Sequence, residues 1–235
     1  MLLACKERNP NGGGVTRARY LPGGRDRSGG PATGRYADAV TRGGVPFLWL
    51  CGPSGVGKSA VGYEIFQQVY RSGIKASFMD FDQLGLCYPS PADDPHNHHV
   101  KAQNLGAVWP TYRMAGARCL IAVGGVTSRA IASRYAGQVP GTDLTLCRLR
   151  ATPERLTERV FRRGLGRGPV VPGPPPTASR QQLAAMAAEA IREAGQLDEA
   201  DFADLCIDTD NHDVAQVARQ VRTRAGGWPG LAPVP

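Results

Sequence analysis

From residue 45 to about residue 225, short runs of hydrophobic residues alternate with segments in which hydrophobic residues recur at helical spacing. Helical spacing is clearest after residue 58, where Val61, Ile65 and Val69 share one face. The five apolar runs have the length and composition of buried strands: 45–51, 74–79, 118–123, 144–149 and 205–207. Alternation of strands and helices predicts an α/β fold with a five-stranded parallel sheet and helices on both faces.

The remaining helices are predicted from periodicity and from capping signals. We expect helices over 58–70, 100–115 and 128–135. Thr152-Pro153-Glu154 supplies a cap, a first-position proline and an early acid, so a helix is predicted to begin there. Ser179 and Gln182 have capping-box spacing before another helix, and Val214, Val217, Ala218 and Val221 mark the last one.

The two ends of the chain differ from this pattern. Residues 1–44 contain ten glycines and seven arginines with little apolar periodicity, so we expect this segment to be disordered. It would be a leader, an arm that touches nucleic acid, or an over-long reading frame. The predicted domain covers 45–225, and the Gly/Pro-rich residues 226–235 are expected to form a flexible tail.

The net charge of +8 is concentrated in the first segment. Residues 1–44 hold eight of the 28 basic residues but only three of the 20 acidic ones, so the domain carries little excess charge. Nucleic acid is therefore not the expected partner. No stretch approaches the roughly 18 apolar residues of a membrane span, so we expect a cytoplasmic protein. The sequence leaves its oligomeric state open.

The stretch GPSGVGKS at 52–59 fits the phosphate-loop pattern G-x-x-x-x-G-K-[ST]. The glycines allow backbone N–H groups to face phosphates, and the following helix presents its positive end to them. Lys58 is expected to reach the β and γ phosphates and Ser59 to offer its hydroxyl to Mg²⁺. The predicted nucleotide contacts at this loop are Gly52, Pro53, Ser54, Gly55, Val56, Gly57, Lys58, Ser59 and Ala60.

Carboxylates follow the second predicted strand, at Asp80 and Asp82. Residues two apart on a strand project to the same side, so both side chains are expected in the crevice beyond the strand. One carboxylate can hold Mg²⁺ or its water, and the other can take the proton of an acceptor hydroxyl. The third strand ends in Val123-Gly124-Gly125 without an acid, and no guanine-reading N/T-K-x-D motif is present, so ATPase-motor and GTPase functions are disfavoured.

On these motifs residues 45–225 resemble the small-molecule kinases of the phosphate-loop (P-loop) superfamily, such as the shikimate, gluconate and adenylylsulfate kinase families. The resemblance implies a three-layer P-loop NTPase fold, with ATP and Mg²⁺ bound. It implies that Asp82 contacts the acceptor, that Asp80 serves the metal, and that Gly124 and Gly125 let the substrate approach. Val126 stands where shikimate kinases carry a third glycine, which disfavours shikimate as the acceptor.

An arginine-bearing lid is predicted over about 159–176. Arg159 and Arg163 share a helix face before Gly164, Gly166 and Gly168, and their guanidinium groups could close over the phosphates. Asp208, Thr209 and Asp210 follow the fifth strand, where they would border the adenine or cap the last helix.

The acceptor contacts are the least determined by sequence. Beyond Asp82 and the glycine pair, the candidates are Gln83, Arg113 and Arg129, and an anionic acceptor would explain the arginines. The histidines between Pro91 and His99 lack convincing metal spacing, so we interpret that stretch as a polar loop.

The leading hypothesis is therefore an ATP-dependent phosphotransferase acting on a hydroxyl of a small molecule. Two alternatives remain at this point. One is a nucleic-acid end kinase or repair protein that uses the basic arm, and the other is a non-catalytic nucleotide-binding module.

Overall fold

The computed structural model describes residues 44–166, 178–226 and 228. Three parts of the predicted organisation lie outside the described residues: 1–43 of the predicted segment 1–44, 167–176 of the predicted lid together with residue 177, and residues 227 and 229–235 of the tail. The elements in chain order are β1 Val45–Cys51, α1 Lys58–Arg71, β2 Ala76–Asp80, α2 Phe81–Leu84, α3 His98–Met114, β3 Cys119–Val123, α4 Arg129–Gly137, β4 Thr142–Arg150, α5 Pro153–Gly164, α6 Arg180–Ala200, β5 Leu205–Asp208 and α7 Val214–Arg224.

The strands form one parallel sheet in the order β2-β3-β1-β4-β5. β1 is central, and its residue Leu50 is in register with Val123 of β3 and Cys147 of β4. The predicted five-stranded parallel α/β sheet is confirmed. Because all strands run the same way, the loops after β1, β2, β3, β4 and β5 share the carboxyl edge of the sheet, where ligands bind in open α/β folds.

The two faces of the sheet carry separate hydrophobic clusters. Alternate residues of β1 point to opposite sides, with Leu48 and Leu50 in one cluster and Phe47 and Trp49 in the other. The first cluster includes side chains of α1, α5 and α7, and the second those of α2, α3 and α4. A strand buried on both faces reads as a continuous apolar run, which is why the sequence pattern located β1 so clearly.

Element boundaries shift by a few residues from those predicted, and one element is new. The short helix α2 follows β2 directly because Asp80 caps it, with its side chain accepting from the N–H of Asp82. The predicted caps of α5 at Thr152 and of α6 at Ser179 are present, the latter as a full capping box. Trp228, at the predicted tail, is buried in the first cluster.

None of the helices in the described part of the chain is long and apolar enough to cross a membrane.

Candidate active site

The loop between β1 and α1 has the backbone conformation that its glycines predict. Gly52, Gly55 and Gly57 have φ values of 137°, 80° and 107°, which side-chain-bearing residues rarely adopt. A Cβ at Gly52 would also lie 2.5 Å from the carbonyl oxygen of Leu149. The loop ends where α1 begins, at Lys58, so the positive end of the helix dipole faces the crevice at the carboxyl edge.

Lys58 and Ser54 of this loop have protein partners. The Lys58 ammonium donates to the carbonyl oxygens of Gly52 at 2.7 Å and Pro53 at 3.0 Å. Burial lowers the pKa of Lys58, and the nearby carboxylates of Glu193 and Asp82 oppose that effect. The N–H of Ser54 donates to Oε2 of Glu193 on α6 at 2.9 Å, a contact that sequence reasoning missed.

Asp80 lies beside the loop at the end of β2. Its Oδ2 accepts from the Ser59 hydroxyl at 3.4 Å, and its Oδ1 accepts from the N–H of Asp82 at 3.0 Å. Burial and the negative charge of Asp82 raise the pKa of Asp80. The Ser59 hydroxyl and the Asp80 carboxylate are hard oxygen ligands of the kind Mg²⁺ prefers, and a cation there would offset the uncompensated charge.

Asp82 is held by a lysine that the sequence analysis did not single out. The Lys101 ammonium lies 2.9 Å from Oδ1 of Asp82, and Oδ2 of Asp82 has no hydrogen-bond partner among the described residues. Gly85 leaves the space for the lysine stem, because a Cβ there would collide with the Cγ and Cε atoms of Lys101. One signal could have identified it: Lys101 lies four and eight residues before the buried Leu105 and Trp109, on the apolar face of α3.

The loop between α2 and α3 keeps Lys101 in reach of Asp82. Asn97, in a left-handed conformation with φ of 53°, donates from Nδ2 to the carbonyl oxygens of Gly85 and Cys87. Asp94 accepts from the N–H groups of His98 and His99 at the start of α3. Side chains within this loop thus connect the two helices that carry the ion pair.

His98 and His99, the first two residues of α3, have structural contacts. The His98 ring is buried and its Nδ1 lies 2.9 Å from the Tyr135 hydroxyl. His99 Nε2 lies 3.2 Å from a guanidinium nitrogen of Arg134. Within the described ranges, no group of three or more His, Cys, Asp or Glu side chains could hold a metal ion.

The two predicted glycines after β3 differ in surroundings. Gly124 has φ of 154°, its carbonyl accepts from Trp49 Nε1, and a Cβ there would lie 3.0 Å from Phe81 Cβ. A Cβ at Gly125 would meet no atom within 4 Å. Gly124 is therefore required for close packing of the core beneath the site, whereas Gly125 borders open space.

Arg159 joins α5 to the phosphate loop and to the residues after β5. Its guanidinium donates to the carbonyl oxygen of Val56 at 3.0 Å, to the Thr209 hydroxyl at 2.8 Å and to the Thr209 carbonyl oxygen at 3.0 Å. The Arg163 side chain is exposed and makes no hydrogen bond with a described residue. The predicted pair therefore divides into one anchored arginine and one exposed arginine.

The residues after β5 organise the chain next to the loop, and they do not cap α7. The N–H of Asp210 donates to Asp208 Oδ1, and Asp210 Oδ2 accepts from the N–H of Thr152 at 2.9 Å. The cap of α7 is Asp213, in a capping box with Gln216, so the capping alternative for 208–210 is wrong. A turn at residues 210 and 211 separates β5 from this cap.

Two predicted substrate arginines are engaged elsewhere. Arg113 donates to the carbonyl oxygen of Ala117, just before β3 starts, which is the edge of the sheet opposite the phosphate loop. Arg129 binds both carboxylate oxygens of Asp204 at 2.8 Å. Gln83 is exposed on α2, next to Asp82. The structure thus brings together Lys58, Ser59, Asp80, Asp82 and Gln83, and it does not bring Arg113 to them.

Solved structures share this architecture. The tunicamycin resistance protein of Deinococcus radiodurans aligns with a TM-score of 0.53 at 21% identity, over 77% of this chain and 95% of that one. A gluconokinase from Sinorhizobium meliloti 1021 aligns with a TM-score of 0.52 at 16% identity, over 80% and 95%. A sugar kinase from Janibacter sp. HTCC2649, in an unliganded structure, gives 0.50 at 14% identity, over 81% and 99%.

These likenesses establish the fold. Two of the three proteins are small-molecule kinases by name, so the predicted resemblance to the fold of P-loop small-molecule kinases is confirmed. No protein-family model and no curated protein matches the chain.

Proposed function

We propose that this chain is an ATP-dependent phosphotransferase that moves the γ-phosphate of ATP to a hydroxyl group of a small molecule. The observation that carries the proposal is the carboxylate of Asp82, which is fixed through Oδ1 by Lys101 while Oδ2 has no protein partner among the described residues. Asp82 lies two residues from Asp80, and Oδ2 of Asp80 accepts from the Ser59 hydroxyl of the phosphate loop. This arrangement supports Asp82 as the proposed base beside the phosphate loop.

The donor half of the site would consist of residues 52–60, with Arg159 and Thr209 beside them. The loop N–H groups and the Lys58 ammonium would bind the phosphates in place of the present contacts of Lys58 with Gly52 and Pro53. Asp208, Thr209 and Asp210 would border the adenine. Arg163, which has no partner on α5, is the arginine we propose to reach the phosphates as charge develops.

Ser59 and Asp80 would hold Mg²⁺, which would neutralise charge on the phosphate oxygens. The acceptor hydroxyl would lie at Oδ2 of Asp82, with Gln83 and Gly125 beside it. Its oxygen attacks the γ-phosphorus, the bond from that phosphorus to the β–γ bridging oxygen breaks, and Asp82 accepts the hydroxyl proton. The products are ADP and a phosphate ester.

The structure also bears on the chemical nature of the acceptor. Arg113 and Arg129, which would have explained an anionic acceptor, are bound to Ala117 and Asp204. Leu86 and Tyr88, which follow Asp82 closely, expose about two thirds of their surface. We therefore propose that the acceptor is a small molecule whose recognition does not depend on these two arginines, and not a nucleic acid or a membrane.

The proposal is tested by incubating the full chain with Mg²⁺, γ-labelled ATP and fractionated small-molecule extracts. An oligonucleotide with a free 5′-hydroxyl is included as a separate acceptor. Lys58→Ala should abolish labelling, and Lys75→Ala, which removes an exposed lysine, should not. A labelled small molecule supports the proposal. Label on the oligonucleotide alone, or label released only as inorganic phosphate, contradicts it.

A further inference from the structure

The phosphate loop has an anionic partner within the protein itself. Glu193 projects from the middle of α6, and its Oε2 accepts from the Ser54 N–H at 2.9 Å. Ser54 is the third residue of the phosphate-loop motif, in the part of the loop whose N–H groups serve phosphate oxygens. The Glu193 carboxylate therefore accepts from a backbone N–H of the kind that this motif uses to bind phosphate.

Charge and space around this contact agree with that interpretation. Burial lowers the pKa of Lys58, and among the charges that oppose this shift Glu193 has the largest effect. A cavity of about 210 Å³ next to this contact is lined by Pro53 of the loop and by Ala194 and Leu197 of α6. The helix is thus not closely packed against the loop at this point, so the glutamate side chain can leave without displacing core atoms.

We propose that Glu193 is an internal competitor of phosphate at the phosphate loop, where its carboxylate competes with incoming phosphate for the Ser54 N–H and for Lys58. The displacement of Glu193 lowers the affinity of every ligand that reaches Ser54 by the same factor. Weak single anions then fail to stay bound at concentrations at which a nucleotide that engages the whole loop and Lys58 still binds. When nucleotide leaves, Glu193 returns to Ser54 and docks α6 against the loop.

This inference rests on the proposed nucleotide site but not on transfer to an acceptor, so it is tested by binding alone. The full chain is titrated with ATP, ADP, pyrophosphate, inorganic phosphate and adenosine, each with Mg²⁺. In Glu193→Ala, the affinity for ligands that reach Ser54 should rise by about three- to tenfold. This is the effect expected when one charge-assisted hydrogen bond that competes with them is lost. Glu193→Gln, which keeps an acceptor but no charge, should fall between wild type and Glu193→Ala.

Two controls make the outcome decisive. Adenosine carries no phosphate, so its affinity should not change in either variant. Glu189→Ala removes an acid one turn earlier on α6, where the carboxylate pairs with the exposed Arg192, and it should leave all affinities unchanged. Unchanged or weaker ATP and pyrophosphate binding in Glu193→Ala overturns the inference. Equal tightening in Glu189→Ala also overturns it, because the effect would then be one of net charge.

Failure of the proposed function has a different signature. If the chain binds ATP and responds to Glu193→Ala but labels no acceptor, the competition stands and the phosphotransferase proposal falls. If wild type and Glu193→Ala both fail to bind ATP and pyrophosphate, the nucleotide site itself is refuted and the role of Glu193 with it.

Discussion

Lys101 and Asp82 form an ion pair between a buried cation and an exposed anion. The ammonium of Lys101 lies 2.9 Å from Oδ1 of Asp82, and the side chains expose 10% and 57% of their surface. A buried ammonium is costly unless it is paired, so its retention on α3 indicates a role that an apolar residue would not serve. In the proposed reaction, that role is to hold the carboxylate of Asp82 in one orientation. Lys101 is thus a positioning residue.

The unequal burial predicts unequal costs when either partner is removed. Asp82→Asn leaves the buried Lys101 charge unpaired and should destabilise the fold by about 1–3 kcal/mol, less than for a fully buried pair. Lys101→Met leaves an exposed carboxylate that water can solvate, and it should cost under about 1 kcal/mol. Urea unfolding of both variants measures this. A larger loss in Lys101→Met than in Asp82→Asn would contradict the assignment of which partner is buried.

The stem of Lys101 needs the space at Gly85, so Gly85→Ala should disturb the ion pair without touching either charge. Gly85 has φ of −106°, which alanine adopts without strain, so any effect comes from the collision with the lysine stem. We expect at least a tenfold loss of kcat for phosphate transfer with ATP affinity unchanged, because misplacing a catalytic group is costly. Gly137→Ala is the matched control, since a Cβ there meets nothing within 4 Å. Wild-type kcat in Gly85→Ala would refute the positioning role.

Arg159 and Arg163 should separate into a structural and a catalytic effect. Arg159→Ala loses three hydrogen bonds to Val56 and Thr209 and should lower both the free energy of unfolding, by about 1–3 kcal/mol, and nucleotide affinity. Arg163→Ala should leave stability within about 0.5 kcal/mol of wild type while lowering kcat. Thermal unfolding and turnover together decide the assignment. A stability loss in Arg163→Ala as large as that in Arg159→Ala would remove the distinction.

Burial of His98 predicts an acid-sensitive fold. Burial lowers the pKa of His98 from 6.5 to about 4, with Lys101 adding to the shift and Asp94 opposing it. Between pH 6.5 and pH 4 the unfolded chain binds a proton that the folded chain does not, so stability falls as the pH falls through this window. The loss should reach about 2–3 kcal/mol near pH 4.

Urea unfolding at pH 7 and pH 4.5 measures that loss. His98→Asn keeps a polar atom near the Tyr135 hydroxyl but does not titrate, so the difference between the two pH values should shrink by most of the histidine contribution. His212→Asn, at an exposed histidine, should retain the wild-type difference. An unchanged pH dependence in His98→Asn would show that other groups cause it.

Except for the short helix α2, the elements of the fold could be predicted because they are determined by local signals. β1 is an apolar run buried on both faces, the phosphate loop is a motif of eight contiguous residues, and the caps at Thr152 and Ser179 lie within four residues of their partners. Asp80 could be placed at the carboxyl edge from strand direction, because it ends β2. Asp82 lies in α2 and not on the strand, so the expectation that both aspartates project from one strand is wrong.

The contacts across the site could not be predicted because they join residues far apart in sequence. Glu193 reaches Ser54 over 139 positions, and Arg159 reaches Val56 over 103. Arg129 was a candidate for the substrate because nothing near it in sequence indicates Asp204, which lies 75 positions away. Whether a surface arginine serves a ligand or a carboxylate of its own chain depends on packing that the pattern does not contain.

The central claim is that Asp82 is the base for transfer of the γ-phosphate. Its most direct test is the initial rate of transfer from γ-labelled ATP to the acceptor that the extract screen identifies. Rates and ATP affinities are compared for wild type, Asp82→Asn and Asp93→Asn, the last at an exposed aspartate in the following loop. The account predicts that Asp82→Asn lowers kcat by about 10²–10⁴-fold with ATP affinity within about threefold of wild type, and that Asp93→Asn changes neither. Transfer by Asp82→Asn at more than a tenth of the wild-type rate would contradict it.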